Sequence, residues 1–135
     1  MVPEFVDDDL EPDPILNRIT NAIIGAAIAV HSKLGAGYQE HFYGNALEVE
    51  FRRRGIKYVR EYRFDVLYEG VTVGSGKLDF LVEDEIVLEL KAVESITPLF
   101  VSQVISYLKA TDKRLGIILN FNVKALKNGI RRIAR

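Results

Sequence analysis

The residues of this chain best suited to chemistry lie in two short stretches, Lys77 to Val82 and Ile86 to Lys91, joined by Glu83-Asp84-Glu85. Both read as strands, and the acidic connection is short enough to fold them into an antiparallel hairpin. With pairing symmetric about Asp84, Asp79 stands opposite Glu89. Leu78, Phe80, Leu88 and Leu90 then share one face, and Asp79, Glu89 and Lys91 share the other. Two carboxylates opposed across a ladder repel, which costs stability in a merely structural hairpin. A bound cation relieves the repulsion, and two carboxylates with a backbone carbonyl nearby make a start on the oxygen ligands that Mg²⁺ takes. Lys91 adds an ammonium able to hold a nucleophilic water and to stabilise charge building on a transferred phosphate. An Asp, a Glu and a Lys so placed specify metal-assisted phosphodiester hydrolysis. A Glu-x-Lys tripeptide also occurs as an ordinary pair of charges at a strand end. Here both charges sit inside the apolar run Ile86-Val87-Leu88-Glu89-Leu90-Lys91-Ala92-Val93, where a charge is seldom buried unless paired or metal-bound.

The elements that must position these groups follow from capping and period. Asp13-Pro14 is an N-cap followed by proline at the first helical position, and Ile15, Ile19, Ile23, Ala27 and Val30 recur at helical spacing until Gly35-Ala36-Gly37. A second helix runs from about Gln39 to Arg54, with Tyr43, Leu47 and Phe51 on one face and Gly55 as C-cap. From Ile56 the period changes to two, with a turn at Glu69-Gly70 into Val71-Thr72-Val73, before the two strands of the hairpin. Thr97-Pro98 repeats the cap-plus-proline signal and opens a helix to about Ala110 with Val101, Val104 or Ile105, and Leu108 inward. Leu115 to Leu119 is a buried strand, and a basic tail follows. The expected order is α-α-β-β-β-β-α-β, an α/β or α+β sandwich with no repeat and no second domain.

These residues resemble a known family. Gly37-Tyr38-Gln39-Glu40-His41-Phe42-Tyr43 is similar to the glycine, glutamate and tyrosine spacing of the GxxExxY proteins, within the PD-(D/E)XK nuclease superfamily. The resemblance continues through Asp79, Glu89-Leu90-Lys91 as the E-x-K element, Gln103 and Tyr107 as a Q-x-x-x-Y element, and Leu115 to Phe121. It covers roughly Ile19 to Arg132. It implies a restriction-endonuclease-like α/β core, a mixed central sheet flanked by helices, holding Mg²⁺, for which Mn²⁺ substitutes. Asp79 and Glu89 would be the metal-binding carboxylates, the carbonyl of Leu90 a further ligand, and Lys91 the catalytic lysine. Glu40 resembles the additional helical acid of RecB-like relatives; it also reads as a glutamate favoured by the dipole at a helix N-terminus. Gln103 and Tyr107, one helical turn apart, resemble the pair that orients the site or touches the nucleic-acid backbone; they also read as an amphipathic helix with a half-buried tyrosine. Tyr43 is read as packing, and His31 and His41 as surface or packing residues. Leu78 stands before Asp79, so the Pro-Asp dipeptide is missing, which removes no ligand.

Composition bounds the rest. The chain has 135 residues, 48% of them apolar and 27% charged, enough for one globular domain. It has no cysteine, which excludes a disulfide scaffold, a thiolate zinc site and a cysteine nucleophile. No Gly-rich phosphate loop follows a strand, and Gly74-Ser75-Gly76 precedes one, which disfavours P-loop nucleotide binding. The stretch Ile19 to Ser32 is shorter than the roughly 20 residues needed to cross a bilayer, and the start of the chain lacks a secretory pattern; a cytoplasmic location is expected. Six of the 19 acids lie within the first 14 residues, leaving 13 acids against 18 bases in the remainder. Residues 1–13 are thus expected to be an acidic, mobile leader and 14–135 a single basic domain. Its basic clusters, Arg52-Arg53-Arg54 and the tail with Arg131 and Arg132, are either phosphate contacts or solvated surface charge. The leading expectation is a DNA nuclease or DNA-processing factor. A nucleic-acid-binding adaptor retaining the fold and a dimeric junction-resolving enzyme are the alternatives, and the small size leaves room for a partner protein that supplies targeting.

Overall fold

A computed structural model describes residues 13–135. Apart from Asp13, the acidic leader lies outside the described residues. Asp13 belongs to the fold: its carboxylate accepts from the N–H groups of Ile15 and Leu16 and from Arg114, at 3.0, 3.1 and 2.8 Å. It thereby caps helix α1, Pro14–Leu34, and ties it to the start of a strand on the opposite side of the sequence. Helix α2, Glu40–Arg54, begins after Gln39 and ends where Gly55 takes the left-handed conformation, φ 69°. Strands β1 (Tyr58–Tyr68), β2 (Val71–Val82) and β3 (Ile86–Lys91) follow, then helix α3 (Pro98–Thr111) and strand β4 (Leu115–Asn120). A short 3₁₀ turn, Leu126–Gly129, leads into β5, Ile130–Ala134.

The sheet runs in the order β1-β2-β3-β4-β5, with β3 and β4 parallel and the other neighbours antiparallel. It is mixed because α3 carries the chain across one face between β3 and β4, whereas tight turns join β1 to β2 and β2 to β3 and a longer loop with the 3₁₀ turn joins β4 to β5. Helices α1 and α2 cover one face around Ile23, Tyr43, Leu47, Phe51, Phe80 and Leu88. Helix α3 covers the other through Val104, Ile105 and Leu108, packed on Leu81, Val87 and Ile118. The architecture is the expected restriction-endonuclease-like α/β core. Among the described residues no helix is long and apolar enough to cross a membrane.

Three expectations need correction. Val71–Val73 and Lys77–Val82 are one strand, because Gly74-Ser75-Gly76 pairs with Phe64, Asp65 and Val66 instead of breaking the ladder, so three strands precede α3. The basic tail forms strand β5: Ile130 and Ile133 flank Arg131-Arg132 and pack on opposite faces of the sheet, Ile133 fully buried. The third concerns faces. Leu78 does not lie with Phe80, Leu88 and Leu90 but on the α3 side with Leu81 and Val87. Its partner Tyr62 also packs on the α3 side, whereas Tyr58 packs on the other. Between them Glu61 adopts φ 53°, a strained conformation for a glutamate, and the ribbon exchanges its faces at that point.

The loop joining α1 to α2 sets where α2 begins. Tyr43 is fully buried, stacks on Phe121 at 4.4 Å, donates from its hydroxyl to the Gly35 carbonyl at 2.6 Å and accepts from the Tyr38 N–H at 3.2 Å. The packing reading of Tyr43 is therefore right, with an added polar role. Tyr43→Phe keeps the ring but strands two backbone groups, and is expected to cost about 1–3 kcal/mol. Urea unfolding should show it as a lower midpoint at unchanged slope.

Candidate active site

The hairpin of β2 and β3 pairs in the expected register, Phe80 with Leu88, Leu81 with Val87 and Val82 with Ile86. The ladder stops there. At the next positions, Asp79 and Glu89, the strands part and side chains replace the backbone bonds. The Asp79 N–H donates to Glu89 Oε2 at 2.6 Å, and the Leu90 N–H donates to Asp79 Oδ2 at 2.8 Å. Each carboxylate thus serves the backbone of the opposite strand. Beyond the split β3 continues along β4, pairing Glu89 with Ile118 and Lys91 with Asn120. Asn120 is itself buried, and its side-chain amide clamps Val93, accepting from its N–H at 3.1 Å and donating to its carbonyl at 2.9 Å. The strand end that carries Glu89 and Lys91 is therefore held from both sides.

The electrostatics follow from burial and proximity. Glu89 is 5% exposed. Burial first, and then the charge of Asp79, push its carboxyl up to about 8, against an ordinary 4.5. Glu40 is also raised, by partial burial and by Asp79, with Lys91 acting in the opposite direction. The Tyr107 hydroxyl is raised by burial and by the charges of Glu89 and Asp79. These influences place Glu40, Asp79, Glu89, Lys91 and Tyr107 in one electrostatic neighbourhood, although α2, β2, β3 and α3 contribute them separately.

Two hollows border the site residues, one lined by Asp79 and the other by Lys91. On the α2 side, a cleft of about 440 Å³ is lined by Glu40, His41, Arg60, Glu61, Asp79 and Leu90 among others. On the α3 side, a groove of about 420 Å³ is lined by Lys91, Leu99, Phe100, Ser102, Gln103 and Ser106. The Asp79–Glu89 pair lies where the sheet splits between them. His41, set aside in the sequence as surface or packing, is exposed and stacks on Phe42 at 4.5 Å, yet it shares the cleft with Asp79. His31 is buried and its Nε2 donates to the Val123 carbonyl at 2.8 Å, a structural role.

In the sequence Arg60 is one base of the run that follows Arg52-Arg53-Arg54, with Lys57 and Arg63, and only the fold places it in the cleft. It is fixed on the cleft wall by Glu48 at 2.6 Å and Asn45 at 2.7 Å. Gly44 makes room for it, since a Cβ there would lie 2.5 Å from Arg60 Nη2. An arginine in an alternating strand gives no sequence signal of this kind; its partners lie 12 and 15 residues away. The basic clusters sit farther from the acids. Arg52, Arg53 and Arg54 end α2 while Glu40 begins it, a separation of about 20 Å along the axis. Arg52 and Arg54 are paired with Glu48 and Glu50 one turn back. Arg131 pairs with Ile118, which pairs with Glu89, so it shares the row of Glu89 two strands over; Arg132 takes the opposite face.

The donor set suits a hard divalent cation, since it consists of carboxylate oxygens, with Glu89 buried and Asp79 half-buried at the cleft. Asp79 and Glu89 are in mutual contact; among the described residues no group of three or more acidic or histidine side chains closes on a single point. A mixed sheet split at a Glu-x-Lys strand, with helices on both faces, defines a nuclease-like α/β class. A model of the PD-(D/E)XK nuclease superfamily matches residues 17–133, and the chain belongs to that superfamily, whose members are in general nucleases and typically use divalent metals. No curated protein and no solved structure matches the chain.

The raised Glu89 carboxyl has a thermodynamic consequence. The folded protein retains a proton that the unfolded chain releases near 4.5, so folding binds protons between about 4.5 and 8. This group's stability contribution is then greatest below that window and is lost as the pH rises through about 8. Glu89→Gln carries no such charge. In urea titrations of metal-free protein from pH 5 to 9, the wild type should lose stability relative to Glu89→Gln as the pH rises. Parallel profiles would show that Glu89 is not buried as a proton-bearing acid.

Proposed function

We propose that this protein is a metal-dependent nuclease that hydrolyses phosphodiester bonds, with DNA as its substrate. The observation that carries the reading is the split between β2 and β3, where two carboxylates in mutual contact are presented beside a lysine with no intervening helix or loop. Asp79 and Glu89 would hold Mg²⁺ or Mn²⁺, with the Leu90 carbonyl and Glu40 as further ligands. A divalent cation, when bound, polarises the phosphoryl oxygen and makes water nucleophilic near neutral pH.

The protein's own groups supply the rest. The two carboxyl groups are already oriented by backbone N–H donors, so little order would be lost on loading. Glu89 must release its proton to serve as a ligand, which couples loading to pH. The Lys91 ammonium stabilises charge on the phosphate as the bond to the leaving oxygen breaks. The Tyr107 hydroxyl, from α3, feels the charges of Glu89 and Asp79, and Gln103 shares the groove with Lys91, which suits both to orienting a phosphate. Arg131, in the Glu89 row, is the nearer of the proposed phosphate contacts; Arg52, Arg53, Arg54 and Arg132 would serve nucleic acid that runs along α2 or over the far face. DNA is preferred to RNA on the resemblance in the motif series Gly37, Glu40, Tyr43, Asp79, Glu89, Lys91, Gln103 and Tyr107 to GxxExxY proteins.

Labelled single-stranded, double-stranded and branched DNA, with RNA in parallel, should be cleaved in Mg²⁺ or Mn²⁺. Asp79→Ala, Glu89→Ala and Lys91→Ala should each lower kcat by about 10²-fold or more. Calorimetry should show Mn²⁺ binding by the wild type that the double variant Asp79→Ala/Glu89→Ala has lost. Absence of both metal binding and cleavage of every substrate would sink the catalytic reading and favour an adaptor that retains the fold.

A further inference from the structure

We propose that the Phe100 ring positions the Lys91 ammonium, which makes Phe100 a positioning residue for the hydrolysis. The inference rests on the catalytic reading of Lys91 and adds the residue that holds it. Lys91 Nζ lies 4.3 Å from the centroid of the Phe100 ring. A cation within about 6 Å of a ring face is attracted by the electron-rich π system. The ion pairs among the described residues do not include Lys91, although its charge acts on Glu40 and Glu89. Among the described residues the ammonium therefore rests on an aromatic face, within electrostatic reach of Glu40 and Glu89 but paired with neither.

That arrangement suits the chemistry. A lysine collapsed onto Asp79 or Glu89 would neutralise the donors that a cation needs, and its four-carbon stem makes such collapse easy. A ring attracts the ammonium without accepting a hydrogen bond from it in the carboxylate sense and cannot take its proton. The other side of Lys91 remains open to the groove with Ser102, Gln103 and Ser106, where it is the one charged lining residue among the described residues. An incoming phosphate would meet a charged, pre-oriented donor. The ring is itself held by local structure. Pro98 opens α3, the Phe100 N–H donates to the Thr97 hydroxyl at 3.3 Å, and the side chain packs on the core beneath α3. The Thr97-Pro98 cap thus fixes the ring at the helix start, and through it the lysine of a neighbouring strand.

Two readouts test the proposal. In NMR spectra, the Lys91 ε-methylene signal should be shifted upfield by the ring in the wild type and should return to the ordinary lysine position in Phe100→Leu. In cleavage assays, Phe100→Leu should lower kcat by roughly 2- to 30-fold with KM changed less than about twofold, from the usual strength of cation–π contacts. Phe100→Trp should restore both. Phe100→pentafluorophenylalanine, which keeps the ring's shape and reverses its face charge, should behave as Phe100→Leu; this separates positioning from packing. An unshifted Lys91 signal in the wild type, or wild-type kcat in the fluorinated variant, overturns the proposal. A wild type that cleaves nothing defeats the nuclease reading instead, and the Lys91 signal alone then decides the contact.

Discussion

The exchange of backbone hydrogen bonds for carboxylate bonds at Asp79 and Glu89 governs the organisation of the molecule around it. When two strands diverge in a protein interior, each leaves N–H groups that cost about 1–3 kcal/mol apiece if unsatisfied. Here the Asp79 and Leu90 N–H groups find the opposite strand's acid. The same bonds keep two carboxylates together where burial would otherwise expel them. The hydrogen bonds alone do not remove the repulsion, and the Glu89 carboxyl responds by retaining its proton to about 8. A structure that merely needed two diverging strands would use neutral groups. The cation proposed for this site would relieve that charge, which links the local geometry to the nuclease chemistry proposed for this superfamily member.

The surrounding elements can be understood as supports for that split. The parallel β3–β4 pair continues past it, so Glu89 and Lys91 stay in a strand after β2 has left. Asn120 and Val93 lock the end of β3, Tyr43 fixes the loop from which α2 presents Glu40, and the Thr97-Pro98 cap starts α3 where Phe100 meets Lys91. The kink at Glu61 turns the outer ribbon of β1 and β2, which lets Asp79 open onto the cleft beside α2 while Glu89 stays covered near α3. Four separate elements converge, each stopped or started by a cap, a glycine or a strained residue.

Helix starts, the hairpin register and the acid–acid–lysine constellation were legible in the sequence, because each is a local property. Asp13-Pro14 and Thr97-Pro98 satisfy orphan N–H groups at helix starts, Gly55 permits a left-handed C-cap, and period-two alternation orients a strand regardless of what packs on it. The hairpin register could be read because its turn is short. The fold class followed from the order of these elements. The site's residue types were visible for a related reason, since charges embedded in an apolar run call for a partner.

Long-range packing decided the remainder. Alternation placed Leu78 with Phe80, and the backbone kink at Glu61 reversed it; β5 was hidden because its arginines mask the two isoleucines that pack inward. Arg60 and Phe100 gained their places from partners on other elements, which no local pattern encodes. Sequence alone determined which groups are available and which local segments carry them, through capping, period and turn length. Tertiary structure alone decided that the ladder ends before Asp79, that the freed N–H groups turn to carboxylates, and that Lys91 rests on a ring, because those outcomes depend on which surfaces meet after the chain has closed on itself.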